Sequence, residues 1–108
     1  MNKKRIANKD AADYVAKRVE FDGSNLLARW ESDYGVCTKY VVYSYGYHFP
    51  LLVYADDMWF ETTSKFSVST SRQLSQCRQR LPETRKCDRN ALRLVIQHGV
   101  CGLALVNN

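Results

Sequence analysis

Residues 37–62, CTKYVVYSYGYHFPLLVYADDMWFET, contain the clearest strand pattern in the chain. Aromatic and β-branched residues are concentrated at 37–47, which predicts a long strand because such side chains pack well on a pleated sheet. Two further strands are predicted at 51–54 and 58–62, joined by a short acidic hairpin loop. Pro50 cannot donate a ladder hydrogen bond, so we expect it to interrupt strand pairing.

The segments on either side of these strands predict helices and one more strand. Apolar residues recur at helical spacing over residues 8–20, and residues 26–31 predict a short strand. A helix is predicted over 71–81, and a last helix is capped by Asp88 and ends at Gly99. Because the strands are grouped, the sequence predicts an α+β fold, an antiparallel three- to four-stranded meander with an N-terminal helix and two C-terminal helices.

Length and composition limit the classes of protein to consider. The chain has 108 residues, which suits one domain over 1–108 with residues 1–7 as a frayed basic tail. Hydrophobic residues make up 45% and charged residues 25%, which argues against a largely disordered chain. No apolar run of about 18 residues occurs, and the basic start lacks the apolar run of a secretion signal. We therefore expect a cytoplasmic protein that does not bind a membrane.

The positive charge is concentrated in the second half of the chain. Residues 1–57 contain eight Lys/Arg and eight Asp/Glu, whereas residues 58–108 contain eight Lys/Arg and three Asp/Glu and carry the whole net charge of +5. Arginine binds phosphate or carboxylate through two parallel hydrogen bonds, so this cluster predicts a surface for nucleic acid or for an acidic protein. A solvated helix face is the alternative. The predicted partner-binding residues are Arg72, Arg78 and Arg80 near the first C-terminal helix, Arg85 and Lys86 in a loop, and Arg89 and Arg93 on one face of the last helix.

Three tyrosines, Tyr43, Tyr45 and Tyr47, share one face of the predicted long strand. On an exposed face they would stack against the bases of single-stranded nucleic acid. On a buried face they would form core, with their hydroxyls at the rim. The opposite face carries serine, glycine and histidine, a poor core, so we expect the tyrosines to face inward.

The four cysteines, Cys37, Cys77, Cys87 and Cys101, are widely spaced. This spacing is typical of reduced, buried thiols in a cytosolic chain. A zinc site built from Cys77, Cys87, His98 and Cys101 is an alternative, although the paired Cys-x-x-Cys signature is absent. The chain also lacks a glycine-rich phosphate loop, a serine-nucleophile elbow and a nuclease-like carboxylate cluster. The sequence therefore predicts a protein that is not an enzyme and that needs no cofactor.

Two segments of the chain, YVVYSYGYHFPL at 40–51 and KFSVSTSRQLSQCR at 65–78, carry a family resemblance. They resemble small uncharacterised proteins encoded by bacteriophages and other mobile elements. The resemblance covers roughly residues 10–80 and does not extend past Pro82. It implies a compact phage-borne accessory protein, a class whose members often act by binding, including binding that blocks host defences such as CRISPR effector complexes.

These observations lead to three functional hypotheses. The preferred one is an anti-CRISPR-like inhibitor of a host defence system, which binds an effector protein or its nucleic acid in the host cytoplasm and acts by steric occlusion. A strongly acidic DNA mimic is disfavoured because the chain is basic. The second is a small DNA- or RNA-binding protein for phage replication or gene regulation. The third is a small homo-oligomer that assembles through its aromatic face.

Overall fold

The computed structural model describes residues 5–23, 25–33, 37–44, 49–63 and 68–98. These residues form helices on both sides of one β-sheet. The helices are α1 (Ala11–Ala16), which follows a 3-10 turn at Asn8–Asp10, α2 (Val68–Arg78) and α3 (Arg89–His98). The strands are β1 (Phe21–Asp22), β2 (Leu26–Asp33), β3 (Cys37–Ser44), β4 (Phe49–Ala55), β5 (Met58–Thr62) and β6 (Arg85–Cys87).

The described strands form one six-stranded sheet in the order β1-β2-β3-β4-β5-β6. Strands β1 to β5 pair antiparallel with their sequence neighbours, whereas β5 and β6 are parallel, so α2 lies in a crossover connection. The predicted α+β class is confirmed, but the sheet has more than three or four strands. Strands β1 and β6 have only two and three residues, which is too few to show the alternation of apolar and polar residues from which a strand is predicted. Arg85 and Lys86 consequently lie in a strand, not in the predicted loop.

Helices cover both faces of the sheet, which we call the α1–α2 face and the α3 face. Side chains alternate between the faces along each strand, so each strand contributes to both cores. The core of the α1–α2 face contains Ala11, Val15, Phe21, Leu26, Ala28, Tyr40, Val42, Leu51, Leu52, Trp59 and Cys77. The core of the α3 face contains Val41, Tyr43, Val53, Ala55, Phe60, Cys87, Ala91, Leu92 and Val95.

The face of β3 that carries Ser44, predicted to be a poor core, is buried under α1 and α2. Ser44 is fully buried, and its hydroxyl donates a hydrogen bond of 2.6 Å to Oε1 of Gln73 on α2. Tyr43 faces inward as predicted, in the core of the α3 face, and its hydroxyl donates to the Glu31 carboxylate. Tyr45, Tyr47 and His48 lie outside the described residues.

Pro50 lies inside β4, so the prediction that it interrupts pairing is wrong. Tyr43 pairs with Pro50 and Val42 pairs with Leu52, which leaves Leu51 as an extra residue in β4. This irregularity is a β-bulge, one of the few places where a strand tolerates proline. Leu51 and Leu52 are both fully buried in the core of the α1–α2 face. The bulge thus places two consecutive leucines in one core.

Helices α1 and α2 differ in extent from the predicted helices at 8–20 and 71–81. Helix α1 ends early because Arg18 adopts a left-handed conformation with φ of 55°. The amides of Arg18 and Val19 donate to the carbonyls of Val15 and Tyr14, at 3.0 and 2.9 Å, in the Schellman pattern that stops a helix. Helix α2 begins and ends three residues earlier than predicted. No helix in the described part of the chain is long and apolar enough to cross a membrane.

Helix α3 is held at both ends. At its start, Oδ1 of Asp88 accepts a hydrogen bond of 2.7 Å from the Ala91 amide, which confirms the predicted cap. Near its end, the buried Lys39 of β3 donates from Nζ to the carbonyl of Ile96. A cation near the C-terminal end of a helix also interacts favourably with the helix dipole. Gly99, the predicted C-terminal cap, and the tail that follows it lie outside the described residues.

The end of the predicted basic tail is attached to the sheet. Arg5 forms a parallel bridge with Asp22, and the Ile6 amide donates to the Asp22 carbonyl at 2.8 Å. Ile6 also packs against the core of the α1–α2 face. Residues 5 and 6 are therefore not frayed, and the expectation for residues 1–4 falls outside the described part of the chain.

Candidate partner-binding surface

The sheet divides the predicted partner-binding cations into two groups. Residues paired directly across neighbouring strands project from the same face. Lys86 pairs with Glu61 and contacts it from the α1–α2 side, whereas Arg85 pairs with Phe60, which lies in the core of the α3 face. The α1–α2 side carries Arg72, Arg78, Arg80 and Lys86, and the α3 side carries Arg85, Arg89 and Arg93.

Two of these cations share one buried carboxylate. Nη1 of Arg78 lies 2.9 and 3.2 Å from the two carboxylate oxygens of Glu61, and Nζ of Lys86 lies 3.5 Å from Oε2. The Thr84 hydroxyl donates to Oε1. The Glu61 side chain is 5% exposed, whereas those of Arg78 and Lys86 are 44% and 61% exposed. The cluster therefore joins β5, the end of α2 and β6 through one charge.

The environment of Glu61 favours its ionised form. Burial on its own would raise the pKa of this carboxyl. The hydrogen bonds from Thr84 and Arg78, together with the positive charges of Arg78 and Lys86, outweigh burial and hold the pKa of Glu61 below its usual range. Arg78 and Lys86 consequently have a structural role, and their role in binding a partner stays a prediction.

Arg80 is also engaged within the chain. Its Nε lies 2.7 Å from Oδ1 of Asp13 on α1, and both side chains are more than half exposed. Exposed pairs of this kind contribute only about 0–1 kcal/mol and exchange readily with solvent. A partner with phosphate or carboxylate groups can compete for Arg80 at low cost.

Arg85, Arg89 and Arg93 form what we call the β6–α3 surface. Residues 85–98 contain these three arginines, Lys86 on the other face of the sheet, and one acid, Asp88, whose carboxylate caps α3. The side chains of Arg85 and Arg93 are exposed, and neither forms an ion pair with another described residue. Arg89 is half-buried, with its guanidinium carbon 5.3 Å from the centre of the Phe49 ring. The surface therefore combines a fixed arginine with two exposed ones.

Two open clefts are lined in part by residues of β6. The first, of about 610 Å³, includes Arg78 and Lys86. The second, of about 370 Å³, includes Trp59 and Arg85. Both are also lined by residues 82–84. Cations of both groups thus line clefts at the β6 edge of the sheet.

The cysteines do not form the zinc site considered from the sequence. Cys77 is buried in the core of the α1–α2 face and Cys87 in that of the α3 face, so the sheet separates them. Both are free cysteines, and burial raises the pKa of Cys77 to about 12. Among the described residues, no cluster of three His, Cys, Asp or Glu side chains is arranged to hold a metal ion. Cys101 and the His98 side chain lie outside that description.

The sequence reasoning missed Trp30 and Arg18 as surface features. Trp30, on β2, is 40% exposed. Arg18 lies over the ring of Tyr54, with its guanidinium carbon 4.6 Å from the ring centre. The sequence places Trp30 on the same strand face as Leu26 and Ala28, which are buried, and gives no local signal that the indole stays partly exposed.

Comparison with known protein families, with curated proteins and with solved structures gives no match to this chain.

Proposed function

We propose that this protein is a small binding protein of phage type that inhibits a host defence effector by occluding it through the β6–α3 surface. The observation that carries the proposal is the excess of cations at this surface, whose single carboxylate is already engaged as a helix cap. Arg85 and Arg93, which are exposed and form no ion pair with another described residue, are placed to bind phosphates or carboxylates of a partner. The effector's nucleic acid or an acidic groove on its protein supplies either group.

The scaffold supports steric occlusion because it presents these cations rigidly. Helix α3 is capped by Asp88, anchored at its other end by Lys39, and packed through Leu92 and Val95 against the sheet. A surface that is ordered before binding loses little conformational entropy on binding. The protein then blocks access to the effector simply by occupying its groove, without chemistry of its own.

The test uses a matched pair of charge-reversal variants in a bacterial host whose CRISPR effector targets an infecting phage. Wild-type protein expressed in this host is expected to restore plaque formation. The double variant Arg85→Glu/Arg93→Glu should lose this effect, whereas the control Arg5→Glu/Lys9→Glu changes the net charge equally at exposed cations remote from β6 and should retain it. Failure of the wild-type protein to restore plaques, or equal activity of the two double variants, would refute the proposal.

The second candidate is a nucleic-acid-binding protein for phage replication or gene regulation, favoured by the same exposed arginines. Fluorescence anisotropy of labelled DNA and RNA distinguishes the two candidates without knowledge of the target. Several phosphate contacts would make the affinity fall by orders of magnitude between about 50 and 200 mM salt. Tight, salt-sensitive binding that the Arg85→Glu/Arg93→Glu variant loses would favour this candidate, and no binding at low salt would exclude it.

A further inference from the structure

The side of α3 that faces away from the sheet carries a stripe of polar residues. Ala91, Leu92 and Val95 are buried against the sheet, so the opposite side of the helix faces solvent. With about 3.6 residues per turn, three exposed residues fall within an arc of about 60° on that opposite side. They are Asn90, Arg93 and Gln97, which we call the outer stripe.

The charge along α3 is positive and is not offset by an acid of the helix. The helix contains two arginines and neither Asp nor Glu. Asp88, which precedes it, accepts a hydrogen bond of 2.7 Å from the Ala91 amide. Glu31, on the same side of the sheet, accepts one from the Tyr43 hydroxyl. Arg93 forms no ion pair with another described residue.

Helix α3 projects from the sheet without a neighbouring helix in the described part of the chain. Helices α1 and α2 lie on the other face of the sheet. An α-helix with its side chains is about 10–12 Å across, and the major groove of B-form DNA is about 12 Å wide. The outer stripe rises about 10 Å from Asn90 to Gln97, which equals roughly three base-pair steps of about 3.4 Å. The helix therefore has the size and the free side that entry into this groove requires.

The side chains of the outer stripe match the groups on the edges of base pairs. In the major groove, arginine binds the two acceptors of guanine, and Asn or Gln binds adenine through one donor and one acceptor. Carboxylates on an acidic protein would use the arginines but not the accepting oxygens of the two amides. We infer that α3 is a recognition helix, whose outer stripe enters the major groove of double-stranded DNA and hydrogen-bonds to base edges. Duplex RNA fits less well, because its major groove is deep and narrow.

The arginines beside the outer stripe are placed to bind the DNA backbone. Arg89 is held at the start of α3, with its guanidinium carbon 5.3 Å from the centre of the Phe49 ring, and Arg85 is exposed on the adjoining strand β6. Contacts to phosphates set affinity and position, whereas contacts to base edges set sequence preference. The inference rests on the proposed function in taking the β6–α3 surface as the binding surface, and it names double-stranded DNA as the partner.

The experiment begins with a pool of duplex DNA in which a short central segment is randomised. Repeated selection with the wild-type protein is expected to enrich one short sequence. Fluorescence anisotropy then compares the selected duplex with a scrambled duplex and with duplex RNA of the selected sequence. The selected duplex should bind roughly tenfold more tightly, or better, than either of the other two.

Two substitutions separate base contacts from charge, because neither changes the net charge. Asn90→Ala and Gln97→Ala should each weaken binding to the selected duplex about fivefold to a hundredfold and leave binding to the scrambled duplex unchanged. Gln79→Ala, at an exposed glutamine outside α3, is the matched control and should bind both duplexes like the wild-type protein. Arg85→Ala should weaken binding to both duplexes equally, because a phosphate contact does not depend on sequence.

The outcomes distinguish this inference from the proposed function. Failure to enrich any sequence, or equal losses on the selected and scrambled duplexes in Asn90→Ala and Gln97→Ala, would overturn the inference. A wild-type protein that restores plaque formation but binds no duplex at low salt would also overturn it, and would leave the proposed function with an acidic protein groove as the partner. Sequence-selective binding by a protein that does not restore plaques would support the inference and refute the proposed function alone.

Discussion

Replacing Glu61 with glutamine removes the charge that joins β5, α2 and β6 while keeping the shape of the side chain. The carboxylate is almost fully buried and receives hydrogen bonds from Arg78 and Thr84. Hydrogen bonds to a charged group contribute roughly 1.5–3 kcal/mol each. We do not expect Glu61→Gln to lose the whole of this contribution, because Arg78 and Lys86 are largely exposed and remain hydrated without their partner. We expect Glu61→Gln to lower the free energy of unfolding by about 1–3 kcal/mol at pH 7.

The same group makes the stability depend on pH in a defined direction. The pKa of Glu61 in the folded protein lies below its usual range. Its contribution is therefore fully present above the unfolded value of about 4.3 and is lost as the pH falls through the lower folded value. In the acid range the wild-type protein should lose the part of its free energy of unfolding that the ionised Glu61 contributes, whereas Glu61→Gln has no such contribution to lose. The difference between the two proteins must shrink as the pH is lowered.

Urea denaturation followed by circular dichroism at pH 7 and near pH 3 measures both effects. Glu83→Gln is the matched control, because Glu83 is an exposed acid in the segment that leads into β6. This control should change the free energy of unfolding by no more than about 0.5 kcal/mol. Equal stability of Glu61→Gln and wild type at pH 7, or a difference that does not shrink in acid, would refute the reasoning.

Three further predictions test the packing around the same elements. Asp88→Ala removes the hydrogen bond to the Ala91 amide and should cost about 0.5–2 kcal/mol in urea denaturation, with Asp88→Asn close to wild type. Phe60→Ala empties a fully buried position under α3 and should cost roughly 3–5 kcal/mol; a loss below 1 kcal/mol would contradict the packing. Cys77 and Cys87, buried with raised pKa values, should resist iodoacetamide at pH 8 and react in urea, as site-resolved mass spectrometry would show; rapid native labelling would contradict their burial.

The central part of the sheet was predictable because its signal is local. The alternation from Tyr40 to Ser44, the hairpin at Asp56 and Asp57, and the Asp88 cap depend on residues close in sequence, and each is found where expected. Both hairpin residues have positive φ, of 51° and 63°, as a tight two-residue turn requires. The α+β class follows from these elements alone.

The failures concern features that only tertiary structure creates. Strand β6 has only three residues, and it forms because its backbone pairs with that of the neighbouring strand β5. The cations form one cluster in the sequence, but Arg85 and Lys86 are consecutive residues of a strand, so their side chains project from opposite faces of the sheet. The contact between Arg78 and Glu61 spans 17 residues and leaves no local pattern. One signal was available, since Glu61 alternates with Trp59 on one face of the strand predicted at 58–62, and a buried acid requires a cation.

The parallel pairing of β5 with β6 has a consequence for the order in which the chain assembles. Strands β1 to β5 meet their neighbours through short connections, so they can form through local contacts as soon as they leave the ribosome. Strand β6 cannot join β5 until the long connection through α2 has closed. Among the described strands, β6, which carries Arg85, is therefore expected to be the last to join the sheet. By the same logic the amides of β6 should exchange with solvent sooner than those of the meander when the native state opens locally, so a bound polyanion would slow their exchange more.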